Sequence, residues 1–238
     1  TESGLAQAEA QIQRQHPEGV PSLVVVGHAS WEPGILGLIA SRINDSYYRP
    51  AIAVQIGPEV SRASARSIPE YDMIGAMETC APLFTKYGGH ARAAGFTIPT
   101  KHMRELVAKL RELADIDIKG DELKPEISID LEALPSEVEG ANFDLVQKLS
   151  PFGESNPTPV FAARGVQVLN ARGVGGGKHL KMRLADGQKS WDAIAFRQGN
   201  QARIARDQID VAYSMEWNTW QGRTTLQMLV ADIKPAGV

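Results

Sequence analysis

The feature that most constrains this chain is a change of pattern at a proline-rich stretch, Ser150-Pro151-Phe152-Gly153-Glu154-Ser155-Asn156-Pro157-Thr158-Pro159. Its three prolines each fix φ and stiffen the backbone, so the stretch reads as an ordered joint. Beyond it the sequence predicts strands alone, at residues 160–170, 179–184, 190–196, 209–217 and 223–233. Turn signals at 173–177, at Asp186-Gly187 and at Gly222 separate them, and one helical turn is expected at 198–205.

Five such strands predict a small closed barrel, an all-β five-stranded OB-fold of the oligonucleotide-binding type. In the second strand His179, Lys181 and Arg183 share one face, and Leu180, Met182 and Leu184 share the other. That alternation predicts a basic outer face over an apolar interior. Trp191, Trp217 and Trp220 lie in or beside strands, where an indole either stacks on a base or fills the core. Gly175-Gly176-Gly177 is too short for a nucleotide-binding fingerprint and reads as a mobile hairpin tip. Residues 158–238 carry 11 Lys+Arg against 6 Asp+Glu in a chain of net charge −3, which suits an anionic partner.

Before the joint, helices and strands alternate. A helix is expected at 3–15, ended by Pro17 and by Gly19-Val20-Pro21. Residues 23–26 form a continuous apolar run, read as a buried parallel strand. Pro33 suits the first turn of a helix at 35–46, with Ile35, Leu38, Ile39 and Ile43 as its apolar stripe. A second buried strand at 51–56 completes a right-handed strand–helix–strand crossover. In the strand-like run 61–67, Arg62, Ser64 and Arg66 project to one face, where two guanidinium groups and a hydroxyl make a phosphate clamp or a solvated edge. A helix capped by Asp72 is expected over 72–84. It delivers the chain to Gly88-Gly89-His90, read as a turn whose glycines admit positive φ and close ligand approach. His90 adds a donor and an acid or base, chemistry suited to a phosphate. Ala93, Ala94 and Gly95 lead into a closely packed strand at 96–98, and a helix follows at 100–113 with Leu106, Leu110 and Leu113 inward. The charged residues 115–125 read as a linker, 127–131 as a short strand and 143–149 as a short helix. The expected domains are a connector helix over 1–18, an α/β domain with a mixed sheet over 19–118, a linker strand and helix over 119–157, and the barrel over 158–238.

With 43% hydrophobic and 22% charged residues, the chain of 238 has the composition of a soluble globular protein. No apolar run approaches a membrane span and no signal peptide opens the chain, so a cytoplasmic location without membrane association is expected. The lone Cys80 excludes an internal disulfide framework, and the five histidines (16, 28, 90, 102 and 179) lack metal-ligand spacing.

Taken together, these segments resemble the RecJ family of single-strand-specific 5′ exonucleases in the DHH phosphoesterase superfamily. The resemblance rests on the run from Trp31 to Arg42, on Ser64-Ala65-Arg66-Ser67-Ile68, on Gly88-Gly89-His90 with Ala93-Ala94-Gly95, and on Pro151-Phe152-Gly153 with Asn156-Pro157 and Pro159-Val160-Phe161. Glu32 departs from the pattern, which usually has histidine there.

The resemblance implies a DHH-associated α/β domain followed by an OB barrel. It also implies a catalytic DHH domain, absent from this sequence, that holds two Mn2+ or Mg2+ ions. His90 and the Gly88-Gly89 backbone would contact the reacting phosphate. Ser64 and Arg66, with Arg62 beside them, would hold the terminal 5′-phosphate, and the barrel would grip the strand through His179, Lys181, Arg183 and Trp191. Residues 1–18 would be the connector from the DHH domain, and the mid-helix start predicts a truncated piece of a longer protein. The implied partners are single-stranded DNA, that domain, and a single-strand-binding protein or helicase in DNA repair and recombination. Alone, this chain is expected to bind single strands weakly and to cleave nothing. Two other readings stay open, a non-catalytic nucleic-acid or partner-recruiting module and a phosphodiesterase acting on small oligonucleotides or cyclic dinucleotides.

Overall fold

The computed structural model describes residues 2–118, 123–153 and 155–237, and the chain divides into two compact units, Thr1–Pro125 and Glu126–Val238. Residues 119–122 of the expected linker and Glu154 of the joint lie outside the described residues. No helix among the described residues is long and apolar enough to cross a membrane.

The first unit contains α1 (Glu2–Gln15), β1 (Val24–His28), α2 (Pro33–Tyr47), β2 (Ala51–Gln55), β3 (Val60–Arg66), α3 (Met73–Glu78), β4 (Lys86–His90), β5 (Ala93–Pro99) and α4 (Met103–Asp117). Its five strands lie in the order β1-β2-β3-β5-β4, with β1 and β2 parallel and the other neighbours antiparallel. Alternation divides the sheet between two apolar layers. Val24, Val26, Ala51 and Ala53 pack with Ile12 of α1 and Leu36, Ile39 and Ile43 of α2. Ile52, Val54, Ala63, Ala65, Phe96 and Ile98 pack with Met73 and Met77 of α3 and Leu106 and Leu110 of α4.

Three expectations for this unit need correction. The stripe of α2 is Leu36, Ile39, Ala40 and Ile43, whereas Leu38 is 55% exposed. The helix capped by Asp72, whose side chain accepts from the Gly75 amide at 3.1 Å, stops at Glu78. Pro82 explains the stop, because its ring clashes with the carbonyl four residues back, and Ala81–Leu83 continues as a 3₁₀ turn. Gly88-Gly89-His90 is not a turn. It is the second half of edge strand β4, and the chain reverses at Ala91-Arg92. That reversal is docked: the Ser67 amide donates to Arg92 O at 3.0 Å, the Met73 amide donates to Ala91 O at 3.1 Å, and Arg92 Nε donates to Ser67 O at 3.0 Å.

The second unit contains β6 (Leu131–Glu132), α5 (Pro135–Val138), α6 (Ala141–Gln147), β7 (Phe161–Val174), β8 (His179–Asp186), β9 (Lys189–Ala195), β10 (Gln208–Trp220) and β11 (Arg223–Pro235). The order β10-β11-β9-β8-β7-β6, closed by a β10–β7 pairing, makes a five-stranded mixed barrel consistent with an OB fold, with β9 and β11 parallel. Leu180, Met182, Leu184, Trp191, Met215 and Met228 fill it, and Phe143 of α6 joins the same core. The Tyr213 hydroxyl donates to Ala133 O at 2.9 Å, and burial pushes its pKa upward.

The strand expected at 127–131 shrinks to Leu131–Glu132, paired with Phe161 and Ala162. Ile127 and Ile129 are 38% and 41% exposed, so their alternation buries no face. The triple-glycine tip is tied down more than its composition suggests. The Gly199 amide donates to Lys178 O at 3.2 Å, and a Cβ on Gly199 would lie 1.8 Å from Gly177 O.

Candidate nucleic-acid interface

Antiparallel register carries the site in the first unit. Directly paired residues lie on one face of a sheet, and three rows cross β3, β5 and β4 on the same face. They are Arg66–Ala93–His90, Ser64–Gly95–Gly88 and Arg62–Thr97–Lys86. The opposite face holds Ala63, Ala65, Ala94 and Phe96 in the core. In the layer above it, α1 packs on β1 and α2 packs over β2 and β3, leaving the polar face beyond β3 open. There a cleft of about 420 Å3 is lined by Arg62, Ser64, Lys86, Gly88 and Thr97, with Pro33 and Leu36 from the start of α2 as its wall.

Each member of these rows has a local reason for its place. Arg66 is held by its own strand, donating through Nη1 to Ala65 O at 2.8 Å and to Ser64 Oγ at 3.3 Å. Gly37 of α2 makes room for it, since a Cβ there would lie 3.1 Å from an Arg66 guanidinium nitrogen and 3.4 Å from Ser64 Oγ. The two adjacent glycines do different work. Gly89 has φ +146°, and a Cβ would lie 2.4 Å from Ala93 O, so it permits the tight β4–β5 pairing. A Cβ on Gly88 would meet nothing within 4 Å, so that position leaves open space for a ligand. His90 is exposed at the end of the edge strand. The structure thus brings Arg62, Ser64, Arg66, Gly88, Gly89 and His90 onto one small sheet region. Glu32 is the exposed N-cap of α2 and makes no side-chain capping bond.

A second cleft, of about 580 Å3, lies on the barrel. It is lined by Lys181, Arg183, Ser190, Trp191, Asp192, Asn218, Trp220, Arg223, Thr225 and Leu226. Its centre is β8 and β9, the second and third strands of the barrel, which form the ligand face of OB folds. Arg183 is oriented by Asp192 at 3.0 Å and by Ser190 Oγ at 2.8 and 3.1 Å. Gln227, only 8% exposed, accepts from Asn218 Nδ2 at 2.9 Å. Trp220 is 71% exposed. A flat aromatic face among Lys181, Arg183 and Arg223 is the chemistry that stacks bases and neutralises phosphates.

Two expected barrel contacts change character. Trp191 is 5% exposed and packed in the core, so it lines the cleft without offering a face for stacking. His179 is outside the cleft lining; its Nδ1 accepts from the Arg197 amide at 2.8 Å and its ring meets Phe196 edge-on at 5.3 Å. It holds the strand end in place. The exposed tryptophans are Trp220 and Trp217, and Trp217 packs against Phe143 at 5.5 Å. Lys86, Thr97, Asn218 and Arg223 were missed because only strand register brings them to the clefts. For Lys86 the available signal was its spacing, two residues before Gly88, which puts it on the same face of an extended chain.

Among the described residues no three His, Cys, Asp or Glu side chains gather as metal ligands.

Comparison with known proteins agrees with this architecture. Residues 19–115 match the DHHA1 domain model and residues 129–232 match the RecJ OB domain model. The chain is 29% identical over 214 residues to the single-stranded-DNA-specific exonuclease RecJ of Bacillus subtilis, covering 88% of this chain and 27% of that protein. It is 30% identical over 226 residues to RecJ of Haemophilus influenzae, covering 91% of this chain and 39% of that protein. The chain therefore spans well under half the length of these relatives. The crystal structure of RecJ in complex with Mn2+ from Thermus thermophilus is 26% identical with a TM-score of 0.73, over 99% of this chain and 34% of that one. With a DHHA1 domain followed by a RecJ OB domain, this chain belongs to the RecJ family.

Proposed function

We propose that this chain is the substrate-binding part of a metal-dependent 5′→3′ exonuclease acting on single-stranded DNA. The observation that carries the reading is the open sheet face of the first unit. There Arg66 and Ser64 stand across two small residues, Ala93 and Gly95, from His90 and Gly88. Arg66, already oriented by Ala65 O and Ser64, takes the terminal 5′-phosphate as a charge-assisted pair. Ala93 and Gly95 leave a low floor for the terminal nucleotide, and the next phosphate, the one to be cleaved, lies beside Gly88 and His90. His90 donates a hydrogen bond to that phosphate. On the barrel, Trp220 stacks on a base while Lys181, Arg183 and Arg223 face the backbone, a grip indifferent to sequence.

The Thermus structures contain Mn2+ or Mg2+. In this reading the groups that hold such ions lie in the part of the relatives' length that this chain does not span, and the ions supply the activated water. The 238-residue chain then binds and does not cleave.

Fluorescence anisotropy with labelled single strands and duplex competitor, over a salt series and with or without a 5′-phosphate, tests the proposal. The expected result is preference for single strands, a gain from the 5′-phosphate, and affinity that falls with salt as counterions are released. Equal affinity for duplex and single strand, with no effect of the 5′-phosphate, would overturn it.

A further inference from the structure

We infer that Lys86, with Arg62 and Thr97 in its row, forms a further phosphate site on the open sheet face, for the linkage one nucleotide 3′ of the phosphate beside Gly88 and His90. The inference rests on the function proposed above and extends it along β4. Lys86 lies two residues before Gly88 on the same strand face, roughly 6.6–6.8 Å away along the strand. That step is comparable to the spacing of successive phosphates in an extended single strand. Across the row, Arg62 pairs with Thr97 and Thr97 with Lys86. Two strand spacings put the Cα atoms of Arg62 and Lys86 roughly 9–10 Å apart, a gap that two long side chains close around one anion with the Thr97 hydroxyl between them.

Electrostatics points the same way. Arg62 and Lys86 are exposed, and neither side chain makes a hydrogen bond or ion pair with another described residue. No carboxylate is among the described residues lining this cleft, so two like charges share it without a counter-charge. In the barrel cleft, one of the three cations, Arg183, is set against a carboxylate, Asp192. Pro33 and Leu36 wall the cleft and exclude water from one side, which strengthens attraction for an anion. An ammonium group is a point charge on a flexible stem, suited to a backbone phosphate of any sequence.

The test uses the 238-residue chain and 5′-phosphorylated single strands in which one linkage at a time carries a neutral methylphosphonate. Neutralising the second linkage from the 5′ end is expected to weaken binding about tenfold. Lys86→Gln weakens the all-phosphate strand by a similar factor and becomes insensitive to that one linkage, while Lys86→Arg keeps most of the affinity. Lys86 is exposed on an edge strand, and thermal melts of the variants confirm that the fold is kept. If Lys86→Gln costs the same whichever linkage is neutral, the lysine is a general surface charge and the inference fails. The function proposed above survives that outcome provided Arg66→Ala, in the same assay, abolishes the preference for a 5′-phosphate. If the strand's 5′-phosphate and every linkage are without effect, both fail together.

Discussion

Under the proposed function, the open face of the α/β sheet and the cleft of the barrel meet an anionic strand in different ways. On the sheet, that reading relies on what is absent: Gly88, Gly95 and Ala93 keep the surface low, and the side chains of Arg62 and Lys86 stand without partners among the described residues. In the barrel, it relies on what is built up, an exposed Trp220 and an Arg183 fixed by Asp192 and Ser190. Under the proposed function the first surface would read position, because a fixed phosphate pocket accepts a strand end in one register. The second would read length, because stacking and backbone contacts repeat without regard to sequence.

The largest effects should come from substitutions that separate fold from surface within the sheet. Gly89→Ala forces a side chain onto φ +146° and against Ala93 O at 2.4 Å, and should destabilise the α/β unit by about 2–4 kcal/mol in chemical denaturation. Gly88→Ala points into open space. Its stability should stay within about 0.5 kcal/mol of the parent, while its affinity for 5′-phosphorylated strands falls. Equal loss of stability in both variants would break the contrast. In the barrel, Trp220→Ala should lower affinity for a long single strand by about 5- to 100-fold, the cost of one stacking platform, and leave the 5′-phosphate preference intact. Isothermal titration with long and short strands would show this.

Smaller effects test the scaffold. Asp72→Ala removes the cap on the Gly75 amide and should cost about 1 kcal/mol. The smallest effect depends on pH. Burial, and then the nearby Arg111, hold the His16 pKa below its ordinary 6.5. The unfolded chain takes up that proton first, so this contribution is complete above pH 6.5 and is lost as the pH falls below it. His16→Gln should flatten the acid side of the stability profile, read as denaturation midpoints between about pH 7 and 5.

Much of this was legible in the sequence where the signal is local. Period-two alternation placed Arg62, Ser64 and Arg66 on one face and Lys181 and Arg183 outside the barrel. The change of pattern at the proline-rich stretch marked the all-β region. What local pattern could not supply was register. Gly-Gly-His looked like a turn because paired glycines usually mark one, yet the turn falls at Ala91-Arg92 and the glycines line an edge strand opposite Gly95 and Ala94. Lys86 joined the site only through Thr97, a partner eleven residues away. Burial was the second gap: Trp191 and Trp220 have the same chemistry in a sequence, and only the barrel's closure puts one in the core and the other in the cleft.

The measurement that tests the central claim most directly is a comparison of Arg66→Ala and Trp220→Ala. Each is titrated by anisotropy with short and long single strands bearing either a 5′-phosphate or a 5′-hydroxyl. Separable losses are expected: Arg66→Ala erases the 5′-phosphate preference at every length, and Trp220→Ala erases the gain from added length while keeping that preference. If both variants lose the same affinity for all four strands, the two surfaces do not divide end recognition from strand grip, and the central claim is wrong.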